Sequence, residues 1–508
     1  IMRLDALFKS LYRMLISHKN LLNWVTAEDA GKKINSKLPT FLCAFKSNYI
    51  VSLIIILLAI FNKCNVIITI LTVLTFVTAP FILYLVSQDN STKEDEVLEK
   101  NKEDLTKIAY STWLYFSSFL TESNNYLIPD NYQVNREKKE DYKTSPTDIG
   151  MSILSVISAY ELSFIKEDEV ISYIDSVITS IENLEKWNGL LYNWYNVKKA
   201  QKIFPYDISS VDNGNLAACL IVAKSFANKH SYFELERKIE NSFSSMDFTK
   251  LYTSKDVFSV AYNTSEEKLS IYNYNKFASE SRILSFVAIV KGDVPYKHWL
   301  CLDKSLTKFR NYKGLTSWSG TSFEYFMPYI FMKSYPNTLL DESYFFSIYC
   351  QEEYMKEIDR SMPWGISESA YDELDDGLNY KYKAFSTPYL KVHEDKNQRI
   401  VISPYASILA ISANPKDVCK NIKKLKKLGL YDKYGFYESY DYDDEKVVAA
   451  YFAHHQGMIL ASLANYLKTD VIRNYFHDDI RVKSGEILLK EKVQLNPVID
   501  LKIYGYKK

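Results

Sequence analysis

The sequence predicts an all-α protein, an α/α toroid preceded by an amphipathic helix and an apolar two-helix hairpin, and three observations predict it. Apolar residues recur at helical spacing or in long buried runs over residues 153–164, 170–184, 216–226, 283–290, 344–358, 402–411 and 447–467. Short loops at 188–205, 312–321, 363–388 and 431–444 separate these stretches and hold the Gly, Pro and clustered aromatic residues. No run of alternating strands and no G-x-G-x-x-G phosphate loop interrupts them. Helix pairs joined by loops that carry the unusual residues are the pattern of a toroid whose loops at one end build a site.

The N-terminal elements read in order. Leu4, Leu7, Phe8, Leu11 and Leu15 recur at spacings of three and four, flanked by Lys9, Arg13 and Lys19, so residues 1–24 read as an amphipathic helix within an interfacial segment, 1–45. Two apolar runs follow, 49–61 and 66–86, and the second is long enough to cross a bilayer. Asn62, Lys63, Cys64 and Asn65 read as the turn between them, which makes 46–87 a transmembrane helical hairpin. Arg3, Lys9, Arg13, Lys19, Lys32, Lys33, Lys37 and Lys46 precede the hairpin, whereas its turn holds only Lys63. The bias of positive charge places the N-terminal side, and with it the large C-terminal part, in the cytoplasm. Residues 88–103 read as a polar linker and 104–508 as the folded domain. The start at Ile1-Met2 lacks a signal-peptide layout and reads as an excerpt of a longer chain.

Composition narrows the partners. The chain has 62 basic and 62 acidic side chains, so nothing calls for nucleic acid as a partner. Six scattered cysteines without a C-x-x-C pair argue against a disulfide framework or a zinc site and fit a reducing compartment. Aromatic residues make up 15% of the chain, 41 of them Tyr, and a ring that stacks on a pyranose while its hydroxyl bonds suits a sugar ligand.

Cleavage or transfer of a glycosidic bond needs two carboxyl groups, one to protonate the leaving oxygen and one to attack or to activate an acceptor. Five loop segments offer one: Asp212 as the cap of a helix, Glu280 before another, Glu324 in a first helical turn, Glu368 in a Gly-led loop, and Glu438 beside aromatics. An acidic residue in a first turn also complements the helix dipole, which is the plain alternative for Asp212 and Glu324. Glu368 has the strongest local case, between serines after Trp364-Gly365 and before the acidic run Asp372, Glu373, Asp375, Asp376, itself read as a solvated turn. Tyr192, Asn193 and Trp194 read as a sugar subsite. His454 and His455 are adjacent, point in different directions on a helix and make poor joint metal ligands, so with Gln456 they read as substrate hydrogen-bonding groups. No metal and no cofactor is expected.

These segments together resemble the middle region of bacterial cyclic β-1,2-glucan synthases. The likeness runs through Leu4 to Trp24, TSPTDIG from Thr144, LYNWY from Leu191, SSVDNGNL from Ser209, ASESR from Ala278, KGDVP from Lys291, SWSGTSFEYFMP from Ser317, PWGISESAY from Pro363, YGFYESYDY from Tyr434 and AHHQGM from Ala453. Asn273 stands where that family leads one to expect Asp. The resemblance implies an (α/α)6 glucoamylase-like barrel of glycoside hydrolase family 189, an anomer-retaining transglycosylase that closes linear β-1,2-glucan into a ring. It implies Glu280 as nucleophile and Glu368 as acid/base. Asp212, Glu324 and Glu438 become substrate-binding residues, and Trp194, Trp318, Trp364 and Tyr371 line subsites. It also implies a bilayer and the glycosyltransferase and phosphorylase-like domains of one full-length protein as partners, at the bacterial inner membrane. An inverting endo-β-1,2-glucanase on the same barrel and a non-catalytic glucan-binding module are the rival readings.

Overall fold

A computed structural model describes residues 10–18, 38–62, 65–86, 91–392 and 399–492. The chain divides into two compact units, Ile1–Glu96 and Val97–Lys508. In the first, residues 10–17 are helical, ending in a π-turn over Arg13–Ser17. Leu4, Leu7, Phe8 and Trp24, on which the amphipathic reading also rests, lie outside the described residues. Helices α1 (Lys46–Asn62) and α2 (Val66–Val86) pack against each other, and Asn48 Nδ2 donates to the Phe76 carbonyl between them at 3.2 Å. Asn65 caps α2 by accepting from the amides of Ile67 and Ile68. Val66–Leu85 is long and apolar enough to cross a membrane, whereas Lys46–Phe61 is shorter.

The second unit is built mainly of helices, and their burial separates them into two kinds. Helices α4 (Pro146–Glu161), α6 (Ser210–Lys229) and α11 (Ala453–Leu467) are buried on nearly every face. Helices α5 (Glu167–Asn183), α7 (Phe233–Ser244) and α10 (Pro415–Lys427) bury one stripe each, such as Leu235, Ile239 and Phe243 on α7. α4 packs against α6 and α11, while α6 packs against α7 and α8 (Arg282–Lys291). A helix apolar all round has neighbours all round, and a striped helix covers it from outside. Close approach between the inner helices depends on glycine: a Cβ on Gly214 would sit 2.5 Å from the Leu284 Cβ and 2.8 Å from its Cα.

Caps explain where these helices begin. Ser145 and Asp148 form a reciprocal capping box with Pro146 at the first position of α4. Ser209, not Asp212, caps α6; Asp212 stands in its first turn. Thr338 and Asn414 cap α9 (Leu339–Ile358) and α10.

Three expectations change. The chain is 54% helical, yet its loops carry twenty-two short strands among the described residues. Glu368 opens one of them, β1 (Glu368–Leu374), which pairs with β2 (Tyr380–Ala384). The stretch 447–467 is strand up to Phe452 and helix after it, because Val447, Val448, Tyr451 and Phe452 are residues that favour strands. The polar stretch read as a linker is helical from Ser91 onward, in α3 (Ser91–Phe119). Pairs at helical spacing, Lys102 with Glu99 and Lys107 with Glu103, support it there.

Candidate active site

The loops of the second unit enclose a cavity of about 570 Å³ into which Glu280 and Glu368 both face. Glu280 lies in the turn before α8. Buried Arg282 holds that turn by donating to the carbonyls of Phe277 and Tyr325 and to the Tyr344 hydroxyl. Ser279 Oγ donates to Glu280 Oε2 at 2.9 Å. Burial, reinforced by the charge of Glu324 and opposed by these hydrogen bonds, raises the Glu280 carboxyl to about 7. Glu368 stands at the start of β1, its carbonyl accepting from the Tyr405 hydroxyl at 2.7 Å. Burial and then the charges of Glu280 and Glu324 raise its carboxyl to about 8. Two buried carboxyls on one cavity cannot both ionise cheaply, so one holds a proton near neutrality.

The rest of the wall is polar on one side and aromatic on the other. Asp212 accepts from Thr147 and Ser209 hydroxyls, each at 2.5 Å. Oriented to satisfy both neighbours, the Asn193 amide donates to Asp212 Oδ2 at 3.3 Å and accepts from the Trp194 indole at 3.0 Å. Lys143 lies 4.2 Å over the Trp194 ring. His454 pairs with Asp148 at 3.3 Å. Burial works against its charge, but Asp148 and Asp130 outweigh that and raise it to about 9. Asp130, Asp148 and His454 bring ligand atoms within 4.8 Å of one another, and the cations already serving that cluster are His454 and Lys143. Tyr274, Phe323, Tyr382 and Phe452 supply the aromatic side.

Of the residues singled out from sequence, the cavity wall therefore holds Glu280, Glu368, Asp212, Asn193, Trp194, His454 and, from the acidic run, Asp375. The others stand behind it. Glu324 is buried and its carboxylate is fully engaged, accepting from the amides of Trp318, Ser319 and Thr321 and from the Ser317 and Thr321 hydroxyls. It holds a loop and bears on Glu280 and Glu368 through charge rather than contact. Trp318 is half-buried on that loop. Tyr192, Trp364 and Tyr371 are buried, with Trp364 in the hydrophobic core. Glu438, His455 and Gln456 are also buried, Gln456 donating to the Phe436 carbonyl at 3.0 Å. Of the acidic run before β2, Asp372 and Glu373 lie on β1, where Asp372 pairs with Arg136 and Lys446 and Glu373 with Lys383; Asp375 and Asp376 stand in the turn, with Asp375 Oδ1 accepting from the amides of Gly377 and Asn379.

Sequence reasoning missed Asp130, Lys143, Thr147, Asn215, Tyr274, Phe323, Tyr382 and Phe452 as wall residues. Thr147, Asn215 and Phe323 lie inside motifs quoted above, so their signal was present but unassigned, and Tyr274 follows Asn273. Tyr382 alternates with Lys381 and Lys383, the period of a half-buried strand.

Comparisons with known proteins agree with this geometry. Residues 272–479 match the family model described as "Putative glucoamylase". The chain is 27% identical to cyclic β-(1,2)-glucan synthase NdvB of Rhizobium meliloti, over 97% of this chain and 22% of that protein. It thus spans about a fifth of the length of that relative. Among solved structures it is similar to an endo-β-1,2-glucanase of Chitinophaga pinensis in complex with sophorotriose and glucose. The TM-score is 0.65 and the identity 15%, over 76% of this chain and 98% of that one. An endo-β-1,2-glucanase of Talaromyces funiculosus in complex with sophorose gives a TM-score of 0.60 at 12% identity, over 80% and 97% of the two chains. These matches bear out the resemblance read from the motifs, and the two structures share the fold.

Proposed function

We propose that the second unit is an (α/α)6 glycoside hydrolase-like domain acting on β-1,2-glucan, and that it closes linear chains into rings by anomer-retaining transglycosylation. The observation that carries the reading is the pair Glu280 and Glu368 on one cavity, both with proton affinities raised by burial and by their shared negative charge, so that the pair holds a proton near neutrality. Glu280 attacks an anomeric carbon of the glucan, and Glu368 gives its proton to the departing glycosidic oxygen. The 2-hydroxyl at the far end of the same chain then displaces Glu280 from the glycosyl-enzyme, losing its proton to Glu368. Two inversions retain the anomer. Asp212, Asn193, Trp194 and His454 hold the sugars. Likeness to a glucan synthase favours transfer as the fate of the intermediate.

The decisive experiment is incubation with linear β-1,2-glucan followed by mass spectrometry. Ring closure gives products lighter by one water than the linear chains; products heavier by water relative to the rings, released from the first turnover as the α-anomer by proton NMR, would replace this reading with an inverting endo-glucanase. Azide rescue assigns the roles. Glu280→Ala with azide gives an α-glycosyl azide if Glu280 is the nucleophile, and a β-azide if it is the acid/base.

The first unit completes the reading. We take α1 and α2 as a bilayer hairpin that holds the domain on the cytoplasmic side of the inner membrane. The glycosyltransferase and phosphorylase-like domains then belong to the same full-length protein.

A further inference from the structure

The register of the β1–β2 hairpin places Ala370 opposite Tyr382 and Glu368 opposite Ala384. Side chains two apart on a strand share a face, so Glu368, Ala370 and Tyr382 lie on the same side of the hairpin. Glu368 and Tyr382 are diagonal neighbours there, roughly 7–8 Å apart. Both line the cavity. Behind Tyr382 runs a buried chain of polar groups. Its hydroxyl stands 3.1 Å from His455 Nε2, and His455 Nδ1 stands 3.0 Å from each oxygen of Glu438.

The chain is rigid. The His455 ring stacks on Tyr405 with centroids 3.5 Å apart and 13° between planes. The Tyr405 hydroxyl in turn donates to the Glu368 carbonyl and stands 2.8 Å from Ser367 Oγ. The Ala370 amide donates to Glu438 Oε1 at 3.1 Å. One framework thus fixes both the backbone of Glu368 and the imidazole behind Tyr382. Glu438 is 2% exposed and His455 1%, and among the described residues no lysine or arginine pairs with this carboxyl. Apolar residues of the same size would fill that space at less cost in desolvation. The arrangement does have one open end: a phenol hydroxyl has one donor and two acceptor positions, and His455 and the neighbouring Tyr405 hydroxyl take two of the three.

We propose that Tyr382 contacts the glucan through its hydroxyl, beside Glu368, and that His455 and Glu438 are positioning residues that aim it. This rests on the reading of the cavity as a β-1,2-glucan site. Burial raises the Glu438 carboxyl to about 8, while burial and the charge of His454 keep His455 neutral. With Glu438 protonated, its proton goes to Nδ1, Nε2–H donates to the Tyr382 oxygen, and that oxygen keeps one position open to the cavity for a sugar hydroxyl.

A double-mutant cycle tests it on linear β-1,2-glucan with the full chain. Tyr382→Phe and Glu438→Gln each lower kcat/KM by roughly 10–100-fold, and Glu438→Gln costs less than about 2-fold in the Tyr382→Phe background, since residues that act as a unit are not additive. Equal losses from Glu438→Gln in both backgrounds, or a Tyr382→Phe protein as active as the parent, would overturn it. A second measurement needs no turnover. In Glu368→Gln protein with 15N-labelled histidine, His455 shows the Nε2-protonated tautomer, and adding linear glucan shifts its resonance unless Tyr382 is Phe. Turnover by the parent with no glucan-induced shift sinks this inference and leaves the enzyme reading standing. A shift that depends on Tyr382, in a protein whose parent shows no turnover, does the reverse.

Discussion

A carboxyl that must deliver a proton near neutrality has to be kept from water, and a group so kept lowers the stability of the fold. Glu368 moves from an ordinary 4.5 to about 8 on folding. The folded state then binds the extra proton between those values, so the stability associated with this group is fully present below pH 4.5 and is lost as pH rises towards 8. Glu368→Gln removes that loss. Thermal unfolding is expected to show a gain in Tm for the variant over the parent that is small near about pH 5 and grows by about pH 8. A gain independent of pH would mean that the carboxyl is not shifted. The same substitution removes the proton that the leaving oxygen needs, and kcat on β-1,2-glucan is expected to fall by about 10²–10⁴-fold. In the parent, activity falls on the alkaline side as Glu368 ionises near 8 and on the acid side as Glu280 is protonated near 7, with the two limbs belonging to the coupled pair.

At the level of elements, the catalytic pair depends on how closely α6 approaches α8, since Glu280 sits in the turn that leads into α8. Gly214 on α6 permits that approach, and the atoms an added methyl would meet include the Leu284 backbone, which cannot swing aside. Gly214→Ala is expected to destabilise the fold by about 1–3 kcal/mol in denaturant melts and to lower kcat, because α8 moves with its turn. A stable variant with full activity would show that the two helices are not pressed together as described. These elements also show how far sequence reached. Inner helices were legible because they are long apolar stretches, and Glu368 because it stands among serines after Trp364-Gly365, whereas Glu280 stood out from the other loop carboxyls only through the resemblance. The walls were legible only in part, through Asp212, Asn193, Trp194 and His454. His455 and Glu438 looked like contacts because they lie within the same motifs, but whether a side chain faces the cavity or the core turns on strand register and helix rotation. A one-residue difference separates His454 in the wall from His455 behind it. The strands themselves are two to seven residues long, too short for alternation to register against the helical background.

For the whole molecule, the first unit carries the remaining prediction. Ile67, Ile70, Leu71, Leu74 and Leu85 are exposed along α2, and Ile60 and Phe61 at the end of α1. An apolar surface of that length without cover is unfavourable in water and favourable in hydrocarbon, where each charged residue at the centre of a span costs about 2.5–3.5 kcal/mol. The full chain is therefore expected to float with phospholipid vesicles in a density gradient and to resist extraction by high salt or carbonate. Ile70→Arg together with Leu74→Arg should abolish flotation while leaving turnover of linear β-1,2-glucan unchanged, because the catalytic residues belong to the other unit. Flotation that survives both charges would place attachment elsewhere in the chain. Loss of turnover together with flotation would show that the membrane unit does more than hold the enzyme in place.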